Sequence, residues 1–476
     1  MRSQSVIFFD LTQLVLRVVF PTPTGIGRVE LAYARYLLEQ YPDQVQFLFA
    51  LPRRVQVIPI RVAARYINAL SSVWHNEDQV SDKVIQKLQA FLKGDERFLT
   101  YREKPGHYVK SRVTQRISLV ADLLMGVALE FIRPRNLSKY SDSDVPHAYV
   151  SVSNSIFSSN WIVRWLEKSP SVAGIFLLHD IIPITNPEFT LPKTTIRHHR
   201  YIRRLAETAQ TIIANSTYTL DCLKQYAAGM NMALPNLVTA PLGVDESFIH
   251  WAAPRQKCAP YFVFIATIEP RKNHLMLLQV WQRLVDKFGA DTPKLVLVGR
   301  RGWENENTLD MIERAETLRD HVIECSNVPD QLVIKLLSNA CAALFPSHVE
   351  GFGLPLAEAL ALRTPVICSD IPPFKEIAGD VPEYVDPLAG RGWLRVVMEY
   401  AAKDSPKRAQ QMARMKGFKP HTWDDHLLTL DSILLKAGVT GPDFERALGQ
   451  EGVAASAGER APAAPMPARQ LVKSAG

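Results

Sequence analysis

The sequence predicts an α/β protein made of doubly wound parallel sheets, and three observations carry that reading. From about residue 172 onward, short apolar runs rich in branched residues alternate with longer amphipathic segments, the rhythm of strands and covering helices. Most of these runs are nearly continuous in hydrophobicity, as strands buried on both faces must be. The chain has 476 residues, too many for one ordinary core, so two domains of roughly 200 residues each are expected.

Taken in order, the chain opens with the strand "VIFFD", followed after a dozen residues by "PTPTGIGRVE" and the helix "RVELAYARYLLEQY". Residues 52 to 145 show no strand and helix rhythm and read as an irregular insertion. The predicted strands are then "SVAGIFLLHD", "TIIANS", "NLVTAPLG", "YFVFIATI", "KLVLVG", "HVIEC", "AALFPS" and "TPVICSD". Polar residues and prolines at 245 to 260 mark a domain boundary. Beyond it, "NHLMLLQVWQRLVDKFG" is an amphipathic helix that closes on Gly289. "TWDDHLLTLDSILLKAG" is another, with Thr422 and Asp425 spaced as a capping box. The expected organisation is a first domain over 1–250, a second over 257–415, a helix within 416–440, and an Ala/Pro/Gly tail over 441–476 expected to be disordered.

The apolar fraction of 47% and charged fraction of 22% are those of a water-soluble globular chain. The net charge of +7 suits an anionic ligand, a nucleic acid or an anionic membrane, and composition does not choose among them. The five cysteines (Cys222, Cys258, Cys325, Cys341, Cys368) lack metal or disulfide spacing, which fits a reducing cytoplasm. Asp10 and Arg17 interrupt the N-terminal apolar run, so neither a signal peptide nor a spanning helix is read there.

Four clusters bear chemistry. Gly25 and Gly27 precede a helix, as a phosphate-binding turn would. A dinucleotide fingerprint is disfavoured, because Glu30 stands where the third glycine belongs and the next strand ends without an acid. An anion site or a plain turn stays open. In "VEGFGLPLAEAL", Gly351, Phe352 and Gly353 follow a strand and precede a helix, with Pro355 in its first turn. Glu350 and Glu358 flank that loop, and a carboxylate can accept two sugar hydroxyls at once. In "EPRKNH", Arg271 and Lys272 at a strand end can neutralise a diphosphate. In "LLHDIIPITNPEF", His179 and Asp180 follow a buried strand; either they meet a substrate, or the Asp caps the next turn and the His bonds to backbone.

Together these motifs resemble the family-4 retaining glycosyltransferases of the GT-B fold. The resemblance rests on "GIGRVELAYARYL", "ANSTYTLDCL", "PLGVD", "TIEPRKNHLMLL" and the E-x7-E stretch "EGFGLPLAEAL", in that order. It implies two Rossmann-like domains facing across a cleft, with a C-terminal helix returning to the first. It further implies a nucleotide-sugar donor: Glu358 on the ribose, Glu350 and the Gly351–Phe352–Gly353–Leu354 loop on the sugar, and Lys272 and Arg271 on the diphosphate. His179 would contact the transferring sugar, with Asp180 on the acceptor side, and Gly25 and Gly27 would close over the diphosphate. The family's usual second diphosphate-binding arginine is replaced by Ala266, and Arg271 is its candidate substitute.

The implied catalytic set is His179, Asp180, Glu350 and Lys272, working without a metal or other cofactor. The "SDSD" at 141 to 144 reads as an accidental match to a metal-binding D-x-D. "FDLT", "TGIGRVE" and "HDIIPITNPEF" look like bacterial polysaccharide mannosyltransferases, which favours GDP-mannose, with UDP-sugars next. The acceptor would be a saccharide or a polyprenyl-diphosphate-linked one, and no nucleic-acid partner is expected. Residues 111–135 carry apolar positions at helical spacing flanked by arginines, so they would either lie on an anionic membrane or pack on the first domain. A cytoplasmic protein, peripheral on the inner membrane face, is expected. The competing readings are an inert nucleotide-sugar-binding protein and a glycoside hydrolase built on Glu350 and Glu358.

Overall fold

The computed structural model describes residues 4–16, 24–51, 54–75, 82–93, 137–153, 160–251 and 259–439. A seven-stranded sheet is formed by β1 (Ile7–Asp10), β2 (Val45–Leu51), β3 (Arg54–Ile58), β4 (His147–Ser151), β5 (Val172–Leu178), β6 (Thr211–Ala214) and β7 (Asn236–Thr239). Its order is β3-β2-β1-β4-β5-β6-β7, and only the β2/β3 pair is antiparallel. A six-stranded, wholly parallel sheet follows: β8 (Tyr261–Ile265), β9 (Lys294–Val298), β10 (Val322–Cys325), β11 (Ala342–Phe345), β12 (Val366–Ser369) and β13 (Glu383–Val385). Its order is β10-β9-β8-β11-β12-β13.

Every strand run read from the sequence is present. β1, β4, β5 and β6 are buried along their whole length, which is why they are apolar throughout instead of alternating. The reading of 52–145 as irregular needs correction, because it contains the antiparallel strand β3 and helices Ile60–His75 and Asp82–Lys93. An edge strand returning antiparallel breaks the strand-helix-strand rhythm, and this hid it. The stretch 111–135 lies outside the described residues.

Each sheet reverses direction of winding at one place, between β1 and β4 in the first and between β8 and β11 in the second. Ligands of open α/β sheets bind beyond the carboxyl ends of strands at such points. "EPRKNH" follows β8 and "SHVEGFG" follows β11, so both land at the switch point of the second sheet.

The two sheets belong to one compact unit ending at Val439. The helix Trp423–Lys436 starts with the expected capping box of Thr422 and Asp425. It packs Leu427, Leu430, Ile433 and Leu434 into the core of the first sheet. Its polar side is fixed to the helix Gly25–Gln40 and the residue that caps its end: the Tyr33 hydroxyl meets His426 Nε2 at 2.7 Å, and the hydroxyl of the capping Tyr41 donates to Asp431 at 2.8 Å. The chain enters this helix through a backbone bridge between Val244 and Thr422. A Cβ on Gly243 would lie 2.2 Å from the Trp423 nitrogen, so only glycine allows that crossing.

Candidate active site

The second sheet supplies a compact charge cluster. After β8 the chain makes a single tight turn, Pro270–Lys272, ending at Asn273 in the left-handed conformation with φ of 63°. The Asn273 amide donates to the Pro346 and Pro387 carbonyls at 3.1 and 2.9 Å, tying this turn to the one after β11. Asn tolerates this conformation and its short amide bonds locally, which is what the turn requires. As a result Arg271 and Lys272 both reach Glu350, at 2.6 Å and 2.5 Å. Arg271 Nε also pairs with Glu269 at 2.6 Å.

Glu350 is buried, which alone would push its pKa up, but the Arg271 and Lys272 charges and the Ser347 hydroxyl outweigh this and hold it at about 2. It is a permanent anion whose two oxygens are each claimed by a cation. Burial pushes Lys272 below the ordinary lysine value, and the neighbouring Arg271 adds to that. The cluster is therefore two cations against two carboxylates, and an incoming anion would compete for the cations. A depressed carboxylate stabilises the fold above its ordinary value of 4.5, and that contribution is lost as pH falls through about 2. Glu350→Gln is accordingly expected to be less stable than wild type at neutral pH, with the gap closing from pH 4.5 downward. Urea midpoints across that range check it.

The loop after Glu350 is shaped by close approach to the first domain. A Cβ on Gly351 would meet the His179 carbonyl oxygen at 2.3 Å and Asp180 Cβ at 2.7 Å. The Gly351 carbonyl accepts from the Ser216 hydroxyl at 2.6 Å and from the Thr219 hydroxyl at 3.1 Å. Gly353 adopts φ of 134°, with the Phe374 ring where a side chain would stand. Phe352 and Leu354 are buried in the hydrophobic core of the first domain. The Glu376 carboxylate accepts from the Thr217 and Tyr218 amides, at 2.6 and 3.2 Å, at the start of the helix Thr217–Gly229. Phe189 stacks on His348 with ring centroids 5.3 Å apart.

His179 and Asp180 are brought beside this loop. His179 Nε2 donates to the Val152 carbonyl at 2.7 Å, and one Asp180 oxygen accepts from the Ile182 amide at 3.1 Å. The plainer reading of the pair, an Asp that caps a turn and a His bonded to backbone, is thus realised, while both residues also line a cavity. That cavity, of about 150 Å³, is lined by Gly25, His179, Asp180, Arg271, Lys272, Glu350 and the loop from Gly351 to Leu354. Ala266 also lines it.

The two N-terminal glycines separate here. They form the first turn of the helix Gly25–Gln40 instead of a loop before it, because Thr24 caps the helix by accepting from the Gly27 amide at 3.1 Å. The helix itself then leaves the Gly25 and Ile26 amides to be satisfied, and both residues line the cavity. Gly27 is not among its lining; a Cβ there would touch Thr24 Oγ1 at 3.4 Å and the Trp74 ring at 3.5 Å. A contact of Gly27 with a bound diphosphate is not supported by this placement.

Glu358 lies in a second, larger cavity of about 500 Å³, together with Arg28, Asp245, Asp330, Trp74 and Leu354. Leu354 is common to both cavities, so the carboxylates Glu350 and Glu358 serve different lobes. Burial raises the Glu358 pKa to about 7 against the opposing charge of Arg28, with Asp330 and Asp245 raising it further. Arg28 and Asp330 form a bidentate ion pair across the cleft, one arm at 2.7 Å. Sequence reasoning missed both residues. Arg28 directly follows the glycine motif and could have been weighed, but nothing in "VPDQ" marks Asp330 as its partner. Among the described residues, no group of three or more His, Cys, Asp or Glu side chains is arranged to hold a metal. Among those residues too, no helix is long and apolar enough to cross a membrane.

Two Rossmann-like sheets, with a cation pair at the switch point of the second, define a two-domain α/β protein of the GT-B type. The family model for glycosyl transferases group 1 matches residues 245–382. The serotype-specific mannosyltransferase WbdA of Escherichia coli is 31% identical over 218 residues, covering 43% of this chain and 26% of the relative. The O-antigen chain mannosyltransferase B of Escherichia coli is 31% identical over 228 residues, covering 45% of this chain and 57% of the relative. The chain thus spans about a quarter to somewhat over half of the length of these relatives. An α,α-trehalose 6-phosphate synthase from Burkholderia multivorans superposes with a TM-score of 0.51 over 97% of this chain and 100% of its own, at 10% identity, a likeness of fold.

Proposed function

We propose that this protein is a retaining glycosyltransferase that moves a hexose, mannose in our reading, from a nucleoside diphosphate sugar to a saccharide acceptor in bacterial polysaccharide synthesis. The observation that carries the reading is the Arg271–Lys272–Glu350 cluster at the switch point, facing the amino end of the helix Gly25–Gln40. Departure of a sugar from a diphosphate places negative charge on the leaving oxygen. Fixed cations and unspent helix amides around that oxygen supply the largest single stabilisation. Mannose is favoured because the relatives named above are mannosyltransferases.

In this reading the diphosphate takes the cations, the hexose lies toward His179, Asp180 and the Gly351 loop, and the nucleoside extends into the larger cavity toward Glu358. Retention follows from attack on the face that the phosphate leaves, with the phosphate taking the acceptor's proton, so no protein nucleophile is required. Glu350 is poorly suited to be one, since both of its oxygens are held in ion pairs. The same fact argues against a hydrolase built on Glu350 and Glu358, which also line different cavities. A polyprenyl-diphosphate-linked acceptor and peripheral attachment to an anionic membrane belong to the proposal as well. They rest on the sequence pattern at 111–135.

The test is a panel of GDP- and UDP-sugars with saccharide acceptors, read by release of the nucleotide. Release from GDP-mannose that depends on an acceptor is expected. Tight donor binding with no release under any acceptor would leave an inert sugar-nucleotide-binding protein.

A further inference from the structure

The ion pair between Arg28 and Asp330 is not used by the reading above, although it stands in the same cavity as Glu358. Arg28 lies one turn into the helix Gly25–Gln40 of the first domain, and Asp330 opens the helix Asp330–Asn339 of the second. Asp330 is 4% exposed at its side chain and Arg28 22%, so neither charge is freely solvated. A bidentate arginine and carboxylate pair has strict geometry, and it forms only when the two domains stand as they do here.

We propose that Arg28 is a positioning residue of the nucleoside lobe: delivered from the first domain when the cleft closes, it favours the form of the Glu358 carboxylate that binds a ribose diol. This rests on the nucleotide-sugar reading of the site. A carboxylate accepts two hydroxyl hydrogen bonds, whereas its protonated form must give one of its oxygens to a proton. Closure and ribose recognition are then coupled, because Arg28 is the charge that opposes Asp330 and Asp245 at Glu358.

The charges around Glu358 are accounted for on each side. Burial raises its pKa to about 7, Arg28 opposes the rise, and Asp330 and Asp245 add to it. Asp245 also accepts from the Ser247 amide at 2.9 Å and caps the short helix Glu246–Ile249. Glu246, Arg35, Glu39 and Asp424 line the same cavity. On the neighbouring helix Pro372–Ala378, Lys375 is paired with Asp370 at 2.5 Å and Glu376 takes the amides of Thr217 and Tyr218. Beneath, on β12, burial keeps the Cys368 thiol protonated.

The experiment measures GDP and UDP affinity of the full chain by calorimetry from pH 5.5 to 8.5, for wild type, Arg28→Gln, Arg28→Lys, Asp330→Asn and Glu358→Gln. Wild-type affinity is expected to rise with pH through a midpoint near 7, and Glu358→Gln to abolish that dependence. Arg28→Gln should move the midpoint up by about one pH unit, weakening binding about fivefold at pH 7. Arg28→Lys should restore part of the shift. Asp330→Asn removes a like charge and should move the midpoint down. A merely structural clasp would make the two halves of the pair behave alike, so midpoints that stay put or shift in the same direction would overturn the assignment. Failure of wild type to bind either nucleotide would overturn the donor-site reading as well, which separates the two failures.

Discussion

Lys272→Ala is expected to lower turnover about a hundredfold, roughly 3 kcal/mol of transition-state stabilisation, while the donor still binds. The lysine is buried beside Arg271 and spends its charge on Glu350 until a diphosphate competes for it. As the sugar departs, charge grows on the leaving oxygen, and the ammonium gains more from that oxygen than from the ground state. The sign of the pH effect follows from the same surroundings. Burial and Arg271 pull the lysine below its ordinary value, so its proton is lost earlier on the alkaline side and turnover falls with it. Lys272→Arg should move that alkaline limb to higher pH. Steady-state kinetics from pH 6 to 10 separate the outcomes: a loss confined to KM would mean that Lys272 only binds the donor.

Gly351→Ala should be nearly as damaging and for a different reason. Its methyl group would stand 2.3 Å from the His179 carbonyl oxygen, a backbone atom at the end of β5 that cannot swing aside. The two domains would be wedged apart at the point where Ser216 and Thr219 grip the Gly351 carbonyl. Misplacement of reacting groups by about 1 Å costs on the order of a hundredfold in rate. The strands and covering helices of both sheets are unchanged, so circular dichroism should remain close to wild type while kcat collapses. Unimpaired turnover would mean that the arrangement described here is not the one that reacts.

Much of this was legible in the sequence because parallel strands buried on both faces are continuous apolar runs, and each of the eight predicted from residue 172 on is a strand. β3 escaped because only two residues, and no helix, separate it from β2. The cations and carboxylates of the second domain were readable because each sits within a few residues of a strand end, at Lys272 and Glu350. The glycine motif was misjudged by one turn, since Thr24 recruits Gly25 and Gly27 into the helix and turns Gly27 toward Trp74. The pairing of Arg28 with Asp330 was out of reach, as residues 302 positions apart are paired by the packing of two domains and not by any local pattern.

The Glu350 and Glu358 pair shows how equal residues acquire different tasks. One is surrounded by two cations and stays ionised; the other is buried among carboxylates with a single arginine across the cleft. Seven residues of chain separate them, yet they line different lobes of one cleft. The most direct measurement is a proton NMR time course of the purified chain with GDP-mannose and a mannose-terminated acceptor, following the anomeric signals. The account predicts a new α-mannoside forming in step with free GDP, and its loss in Lys272→Ala. A β-mannoside, or GDP-mannose that binds and is never consumed, would contradict it.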